Sequence, residues 1–319
     1  MRFRCELGQE GLKVLLSVVQ TMERADRGQQ KPVADKKGIV CLSPREISVA
    51  LFAEQLHGDM LAFATLSALG VCESYFVESA AANNVYFSVA LKQLSRALGS
   101  AASSATTTVK LAKRQGNACL LVCFESSRVS SVEHAIPIKL ARAAEVERYR
   151  PPVHGLPRVV FVLPQASTLK TLVDRLKLIA GPDKCCRVDV KFEAAGVLAF
   201  RVVSDAAVVK AFFTNLEIKK LRKSKALKEG ETIAVAVDAR NLAQALLAYN
   251  LDFHAIDCCP VENFALVIHV TLAAADNGEP LGDITYYIPL LDDGDDDDLE
   301  RHQQNHADSD DDDDASSSS

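Results

Sequence analysis

A faint internal repeat is the sequence feature that most constrains how this chain can fold. Leucine and valine residues over 12–19 have the i, i+3, i+4, i+7 spacing of an amphipathic helix. The same spacing returns in the second half of the chain, over residues 169–176. Each of these segments directly follows a strand-like run, RFRCEL at 2–7 and RVVFVLP at 158–164. The order strand then helix is therefore predicted twice.

A second pair of helix-like segments extends the repeat. QLSRALGS at 93–100 and NLAQALLA at 241–248 share leucine and alanine positions. Each follows a strand-like run, VYFSVAL in the first half and TIAVAVD in the second. Two leucine-rich helices can match at several positions by chance, so the helices alone leave a coincidence open. If the repeat is real, it predicts two similar units with two helices each.

Short β-rich runs with turn residues separate these helices. GIVCLSPREISVALF and MLAFATLS lie in the first half, and CRVDVKF and VLAFRVVS lie in the second. Later runs predict hairpins that turn at 115–117 and at 276–282. The fold class is therefore predicted to be α+β, with two similar domains that each carry two helices on antiparallel sheets.

The segment RYRPPVHGLP at 148–157 marks the predicted boundary between the two domains, because it gathers three prolines and a glycine. We expect a first domain over 1–132 and a connecting segment over 133–157. A second domain is expected over 158–291, followed by an acidic disordered tail over 292–319.

The acidic tail hides the charge of the rest of the chain. The net charge is -6, but the tail alone holds 13 acidic residues against one arginine, Arg301. The rest of the chain has 35 basic and 29 acidic residues, a net charge of +6. A basic body is compatible with a polyanionic partner such as nucleic acid. The tail has too few apolar residues to offset the entropy of ordering, which predicts disorder.

Composition argues against a membrane or secreted protein. The longest nearly apolar stretch, at 264–275, is shorter than the roughly 20 residues of a membrane span. The amino terminus lacks the apolar core of a signal peptide. The nine cysteines lie in apolar runs or side by side, with no CxxC pair. We therefore expect an intracellular protein with reduced core thiols and no membrane partner.

A metal site is not expected. His254 with Cys258 and Cys259 is the best candidate, but adjacent cysteines on a strand point to opposite faces and make a poor chelate. Glycine-rich phosphate loops, GxSxG and HExxH do not occur in a convincing setting. We therefore predict no metal, no cofactor and no catalytic residues.

One enzymatic alternative stays open. A thiol-dependent enzyme could use Cys119 or Cys123 as the nucleophile and His134 as the base, if the fold brings them together. Cysteines on an apolar strand are far more often core residues, which favours a protein without catalytic chemistry.

Several segments of the chain resemble one family of proteins. In chain order they are MRFRCEL, LSPREI, ANNVYFSVALKQLSRAL, ACLLVCFE, HAIPIKL and ITYYIPLL. Their order and spacing resemble the Hus-one subunit family of the nine-one-one checkpoint clamp, which is related to the PCNA-type sliding clamps. The resemblance covers residues 1–291. It does not extend to the polar expansion at 24–37, the long Ser/Thr-rich stretch at 99–108 or the acidic tail.

This resemblance implies a ring of three different clamp subunits around duplex DNA, with helices lining the hole and sheets forming the wall. We therefore expect two other clamp-like subunits as partners, and double-stranded DNA bound without sequence specificity. A clamp loader and docked checkpoint and repair factors are also implied, with the nucleus as the location. A homotrimeric replication processivity clamp is the alternative within the class.

Helices that face DNA should carry an apolar stripe for the sheet and a basic or polar stripe for the phosphates. Ordinary solvated helices also expose lysine and arginine, so the stripe alone leaves that interpretation open. The candidate DNA-contacting residues on these stripes are Lys13, Ser17, Gln20, Arg24, Lys92, Arg96, Lys170, Lys177 and Arg240.

The segment 132–147 resembles the connecting loop of clamps, which in that family receives peptides from client proteins. Its candidate docking residues are Ile136, Pro137, Ile138 and Leu140. A strand packed on the sheet would satisfy the same apolar alternation, so both interpretations stay open.

The densest basic run, KKLRKSK at 219–225, is a candidate nuclear import signal, an extra phosphate contact or an ordinary solvated loop, of which we favour the import signal. The cations of the candidate signal are Lys219, Lys220, Arg222, Lys223 and Lys225.

Overall fold

Strands and helices follow one another in the same order twice along the chain, in a computed structural model of the protein. The structure describes residues 1–27, 38–51, 60–126, 129–141, 145–146, 149–164, 166–179, 187–203, 208–219, 227–273 and 278–291. The predicted acidic tail at 292–319 lies outside these residues.

The first round contains nine strands, two longer helices and one short helix in the described residues. Its elements are β1 (Arg2–Gly8), α1 (Gln9–Arg27), β2 (Gly38–Leu42), β3 (Glu46–Leu51), β4 (Leu61–Ser67), α2 (Ala68–Val71), β5 (Ser74–Glu78), β6 (Val85–Val89), α3 (Leu91–Ser100), β7 (Thr106–Arg114), β8 (Asn117–Ser126) and β9 (Val129–Leu140).

The second round repeats this order over the described part of 160–289. Its elements are β10 (Val160–Val162), α4 (Ala166–Ile179), β11 (Arg187–Glu193), β12 (Val197–Val203), β13 (Val208–Phe213), β14 (Ile218–Lys219), β15 (Thr232–Asp238), α5 (Ala239–Ala245), β16 (Phe253–Val261), β17 (Ala265–Leu272) and β18 (Gly282–Pro289). A 3-10 turn over Leu246–Asn250 continues α5. The predicted α+β class with two similar halves is confirmed.

The strands form two antiparallel sheets. One sheet has 14 strands in the order β5-β1-β7-β8-β9-β6-β2-β3-β4-β18-β17-β16-β10-β14, and the other has four in the order β13-β12-β11-β15. The large sheet therefore runs through both halves of the chain, and its halves meet where β4 pairs with β18.

The junction between β4 and β18, here called the seam, pairs Leu61–Leu66 with 282–287. Gly282 permits this close approach, because a Cβ at that position would lie 2.0 Å from the backbone oxygen of Thr65. Phe63 of β4 and Tyr287 of β18 meet edge to face, with ring centroids 5.8 Å apart. The seam thus joins the two halves by backbone pairing and by aromatic packing.

The helices pack together over the apolar side of the sheets. Leucine and valine residues spaced along α1 are buried, including Leu12 and Val19. Fully burying a side chain of this size contributes about 1.5–3 kcal/mol relative to exposing it. Gly11 lets α1 approach the short helix α2, because a Cβ there would lie 1.8 Å from the backbone oxygen of Val71. The apolar side of the amphipathic helix α1 therefore packs in the core.

Strand β9 extends to Leu140, well into the range predicted as a connecting segment. Partner strands hold it on this course, because β8 pairs with it as far as Pro137 and β6 pairs with Ile138 onward. The segment 150–157 that follows has no helix or strand. The domain boundaries themselves stay a prediction.

Candidate assembly edges and nucleic-acid interface

Helix α1 presents polar residues on the side away from its buried apolar stripe. Lys13 and Arg24 are exposed, and Ser17 and Gln20 between them are half-buried. Lys13 donates to Glu10 at 2.6 Å, an exposed ion pair one turn away. Such surface pairs contribute at most about 1 kcal/mol, so the ammonium stays available for a phosphate.

Helix α3 repeats this arrangement at a smaller scale. Lys92 and Arg96 are exposed one turn apart, while Leu94 and Leu98 on the other side are buried. Because α3 packs against α1, the exposed cations of both helices lie over the same part of the molecule. The first round therefore carries four exposed cations on its predicted DNA-facing helices.

The candidate cations of the second round that the structure describes are less exposed than those of the first. Lys170 of α4 is half-buried and the exposed Asp174 follows one turn later. Arg240 is half-buried at the start of α5, where the side chain of Asp238 caps the helix by accepting from the backbone nitrogen of Arg240 at 2.7 Å. The side chain of Lys177 lies outside the described residues. A weaker contribution of this round to DNA binding stays a prediction, since α4 also carries the exposed Arg175.

The four longer helices lie in a row. Helix α1 packs against α3 on one side and against α5 on the other, and α5 packs against α4. The order across the row is therefore α3-α1-α5-α4, with α3 and α4 at its two ends.

The last strands of the two rounds, β9 and β18, occupy equivalent places in the fold. Each is the final strand of its round and pairs with the strand before it, with Pro137 opposite Cys119 and Pro289 opposite Ala265. The sequences around these prolines, HAIPI and YYIPL, also match. Position Glu133 in β9 is therefore equivalent to position Thr285 in β18.

Strands β4 and β13 are equivalent in the same way. The residues after the two prolines, Ile138 and Leu290, pair with Val89 and Val237, which aligns β6 with β15. Lateral pairing then gives matching rows across four strands, Ser88–Ile39–Ala50–Phe63 and Ala236–Asp189–Arg201–Lys210. Lys210 is therefore equivalent to Phe63.

One pair of equivalent strands is joined and the other is open. In the seam β18 pairs with β4, but in the described part of the chain β13 pairs with β12 alone. Along 129–137, β9 pairs with β8 alone. We call the unpaired sides of β9 and β13 the open edges. Each presents unpaired backbone donors and acceptors to another strand.

Large apolar side chains mark the open edge of β13. Phe212 is 63% exposed and Val208 is 56% exposed. At the position equivalent to Val208, Leu61 in the seam is only 7% exposed. Exposed apolar residues in a row along an edge strand typically mark an interaction surface. These residues were not predicted as a binding surface from the sequence, although the run VVKAFF indicates an apolar strand.

The predicted docking residues lie on β9 and its end. Ile136 is buried at 3% exposure, Ile138 is half-buried, Pro137 is exposed and Leu140 is 41% exposed. The strand interpretation of this segment therefore holds for its structure. Peptide docking at Pro137 and Leu140 stays a prediction.

A shallow cavity of about 380 Å³ lies between the segment before β10 and the turn that joins β16 to β17. His154 stacks on Phe264 with centroids 5.5 Å apart and also contacts the ring of Tyr287. Phe63, Val267 and Tyr287 belong to a small apolar cluster beneath it, on the side of the large sheet away from the helices. Gly155 and Pro157 thus help to line a hollow beside the seam, together with the charged residues Arg158 and Glu262.

The predicted import signal falls mostly on residues outside the described ones. Lys220, Arg222, Lys223 and Lys225 lie there. Lys219 is the last residue of β14, and its ammonium lies 2.6 Å from a carboxylate oxygen of Asp257. This first cation of the run is therefore tied to the sheet.

The sheet separates the residues of the thiol-enzyme alternative. His134 pairs with Val122, so it lies on the helix side with the hydroxyl of Ser100 at 2.8 Å. Cys119 and Cys123 alternate with Val122 and point to the other side. Burial also raises the pKa of the Cys123 thiol. Neither Cys119 nor Cys123 therefore meets His134.

The best metal candidate does not converge either. His254 is exposed, whereas Cys258 and Cys259 are buried, and burial raises the pKa of Cys259 to about 12. Among the residues that the structure describes, no group of three His, Cys, Asp or Glu side chains could hold a metal ion. Within the same ranges, no helix combines the length and apolar character needed to cross a membrane.

Family and sequence comparisons agree with one another. Residues 1–292 match the model of a family described as Hus1-like protein. The chain is 25% identical over 244 residues to a checkpoint protein hus1 homolog of Dictyostelium discoideum, covering 76% of this chain and 85% of that one. It is 25% identical over 260 residues to checkpoint protein HUS1 of Homo sapiens, covering 78% and 88%.

Solved structures show the same fold at low identity. Proliferating cellular nuclear antigen from Entamoeba histolytica superposes with a TM-score of 0.65 at 8% identity, covering 91% of this chain and 99% of that one. PCNA from Thermococcus kodakaraensis gives 0.62 at 16% identity, covering 91% and 100%. The expected PCNA-like fold is therefore confirmed.

Proposed function

The chain belongs to the Hus1-like protein family, and from that membership we propose that it is one of three different subunits of a checkpoint sliding clamp that encircles DNA. The observation that carries this proposal is the seam. Within one chain, β18 joins β4, while the equivalent strands β9 and β13 are left open. Neighbouring subunits of the same fold would fill both edges and close a ring.

In this ring, each junction between subunits repeats the register of the seam. The β9 edge of one subunit receives the β13-equivalent edge of the next, and backbone hydrogen bonds extend the sheet between them. Phe212 and Val208 are then covered by the neighbour, as Leu61 is covered within the chain. The sheets form a continuous outer wall.

The row of helices continues around the ring in the same way. Helix α5 packs on α1 within the chain, so α4 at one end of the row is expected to meet the helix equivalent to α3 in the next subunit. The exposed cations of α1 and α3 then face the hole and neutralise phosphates without reading bases. DNA is held by enclosure, and nonspecific contacts with Lys13, Arg24, Lys92 and Arg96 position it.

The chain contributes surfaces instead of catalytic chemistry. The hollow beside His154 and the exposed residues Pro137 and Leu140 are candidate sites for checkpoint and repair factors. The basic run at 219–225 would direct the protein to the nucleus, where a clamp loader would open the ring. Replacing Lys220, Arg222, Lys223 and Lys225 with alanine should leave the protein in the cytoplasm, and an unchanged distribution would remove this role.

A topological experiment tests the proposed function. The complex, recovered on closed circular plasmid from extract of its own cells, is challenged with one restriction cut. A ring should slide off the linear product, and blocking both ends with a bulky bound protein should restore retention. Equal retention on open linear and circular plasmid would contradict encirclement. The uncut plasmid is the control for spontaneous loss.

The electrostatic part is tested on the isolated chain. Weak binding to duplex of arbitrary sequence should fall with salt, and each neutralised phosphate contributes a slope of about -0.9 in log affinity against log salt. The double variant Lys92→Glu, Arg96→Glu should reduce this slope, because both side chains lie on the proposed interface. The matched double variant Arg45→Glu, Lys113→Glu changes exposed residues outside the four longer helices and should leave the slope unchanged.

A further inference from the structure

Equivalent positions on the seam and on the open edges carry different charges. Within the seam, Thr285 of β18 lies opposite Phe63 of β4, and neither side chain is charged. The equivalent position on β9 is Glu133, and the equivalent position on β13 is Lys210. At this position the β9 edge therefore carries an acid and the β13 edge carries a base, where the seam carries two uncharged residues.

We propose that Glu133 and Lys210 select the neighbours of this chain and set their order around the ring. The β9 edge fits a clamp subunit that carries a lysine or arginine opposite Glu133. The β13 edge fits a clamp subunit that carries a carboxylate opposite Lys210. This inference rests on the proposed function, because it borrows the register of the seam for the junctions between subunits.

The surroundings of Glu133 leave one oxygen for a partner. One carboxylate oxygen forms an ion pair with Arg114. The other lies 3.7 Å from the sulfur of Cys123, and a thiol is only a weak donor. Directly opposed side chains on antiparallel strands are close enough for an ion pair, with Cβ atoms about 4.5–5.5 Å apart. A cation on the incoming strand would therefore meet an incompletely satisfied carboxylate.

The surroundings of Lys210 call for an acid. Lys210 is exposed on β13, and its lateral partner on β12 is another cation, Arg201. Arg201 lies 3.2 Å from Asp189, which also receives Arg187 at 3.0 Å. Arg201 and Lys210 thus lie directly opposite each other, and a carboxylate from the neighbour would offset the repulsion between these two cations.

The same charges exclude wrong arrangements. If two β9 edges met in this register, Glu133 would face another acid, and if two β13 edges met, Lys210 would face another base. Like charges directly opposite one another destabilise a strand pair. The edges are thus restricted to head-to-tail contacts, which are the kind that close a ring of three.

Pairwise assembly tests the selection. The two clamp subunits that accompany the tagged wild-type chain are first identified from its own cells, and each is then co-expressed with the chain alone, so that the third subunit cannot bridge a broken junction. Glu133→Lys should lower recovery of one neighbour by about tenfold or more, and Glu133→Gln should lower it less. Lys210→Glu should lower recovery of the other neighbour only.

Two control variants test whether the losses are specific to the open edges. Glu78→Lys on β5 and Lys113→Glu at the β7–β8 turn make the same charge changes at exposed positions off these edges, and should leave both pairs intact. If Glu133→Lys and Lys210→Glu keep both neighbours, or lose the same one, the selection is wrong while the ring stands. If the wild-type chain brings no clamp subunit, the proposed function itself fails.

Discussion

The seam and the open edges are built from equivalent strands, yet these strands are paired with each other only in the seam. In the seam, Phe63 and Leu61 are each 7% exposed, and β4 and β18 satisfy each other's backbone groups. On the open edge of β13, Phe212 remains 63% exposed. The chain therefore contains one finished junction and two unfinished halves of the same junction. An isolated subunit therefore lacks, at its two open edges, the strand pairing and apolar contacts that its own seam contains.

An exposed apolar edge strand is a liability for a protein that stays alone. Natural edge strands are usually shortened, charged or covered. On β13, the single charge between Val208 and Phe212 is Lys210, so the edge is only weakly protected. By comparison with the seam, where the equivalent strand is paired, we expect Val208 and Phe212 to be covered by a partner strand.

The largest expected effect is on unfolding free energy, when one aromatic ring is deleted from the seam and one from the open edge of β13. Phe63→Ala should cost the isolated chain about 3–5 kcal/mol of unfolding free energy, because it leaves a cavity in the seam. Phe212→Ala should cost the isolated chain under about 0.5 kcal/mol, because its ring is mostly exposed. Chemical denaturation measures both.

The two deletions should reverse their order in assembly. Phe212→Ala should weaken recovery of one neighbouring subunit, while its stability as a monomer matches the wild type. A loss of monomer stability at Phe212 equal to that at Phe63 would erase the distinction between seam and edge.

The next effect concerns the close approach at the seam. Gly282→Ala should destabilise the chain by about 1–3 kcal/mol, because the new Cβ would lie 2.0 Å from the oxygen of Thr65 and the strands would have to separate. Gly99→Ala in α3 is the matched control, since no atom lies within 4 Å of its Cβ. That control should raise stability by about 0.5–1 kcal/mol, as alanine does in helices. Equal thermal shifts for the two variants would contradict the tight seam.

A smaller effect with the opposite sign is expected at Tyr286. Its ring is fully buried at the seam, and its hydroxyl has no hydrogen-bond partner among the residues that the structure describes. Tyr286→Phe removes the unsatisfied group and should stabilise the chain by about 1 kcal/mol. Thermal unfolding measures the change. A marked loss of stability would mean that the hydroxyl is satisfied in solution.

The smallest effect is a pH dependence at the seam. Burial raises the pKa of Asp283, an effect that Glu46 reinforces and His269 opposes. A raised folded-state pKa favours the protonated form, so the stabilising contribution is present at low pH and is lost as pH rises through that pKa. Asp283→Asn should therefore raise the melting temperature at neutral pH, and the gain should vanish in acid. A gain independent of pH would rule out this ionisation as the cause.

The amphipathic periodicity of the sequence was enough to predict the helices and the side on which their cations lie. Spacing along 12–24 and 91–98 is local, so Lys13, Arg24, Lys92 and Arg96 could be placed as exposed without knowing the fold. The α+β class and the two similar halves followed from the same repeat and were confirmed.

Strand pairing could not be predicted in the same way, because it depends on partners far apart in the sequence. The apolar alternation of Ile136, Ile138 and Leu140 fits both a strand and a docking loop, and only pairing with β8 and β6 decides that it is a strand. Glu133 and Lys210 look unremarkable in the sequence. Their proposed role follows only when strand pairing aligns them with Thr285 and Phe63.

Native mass spectrometry of the tagged chain, purified gently from its own cells, tests the central claim most directly. We expect an equimolar assembly of this chain with two different clamp-like subunits, since both open edges need a neighbour. A homotrimer of this chain, or a monomer that stays alone with its β13 edge uncovered, would contradict it.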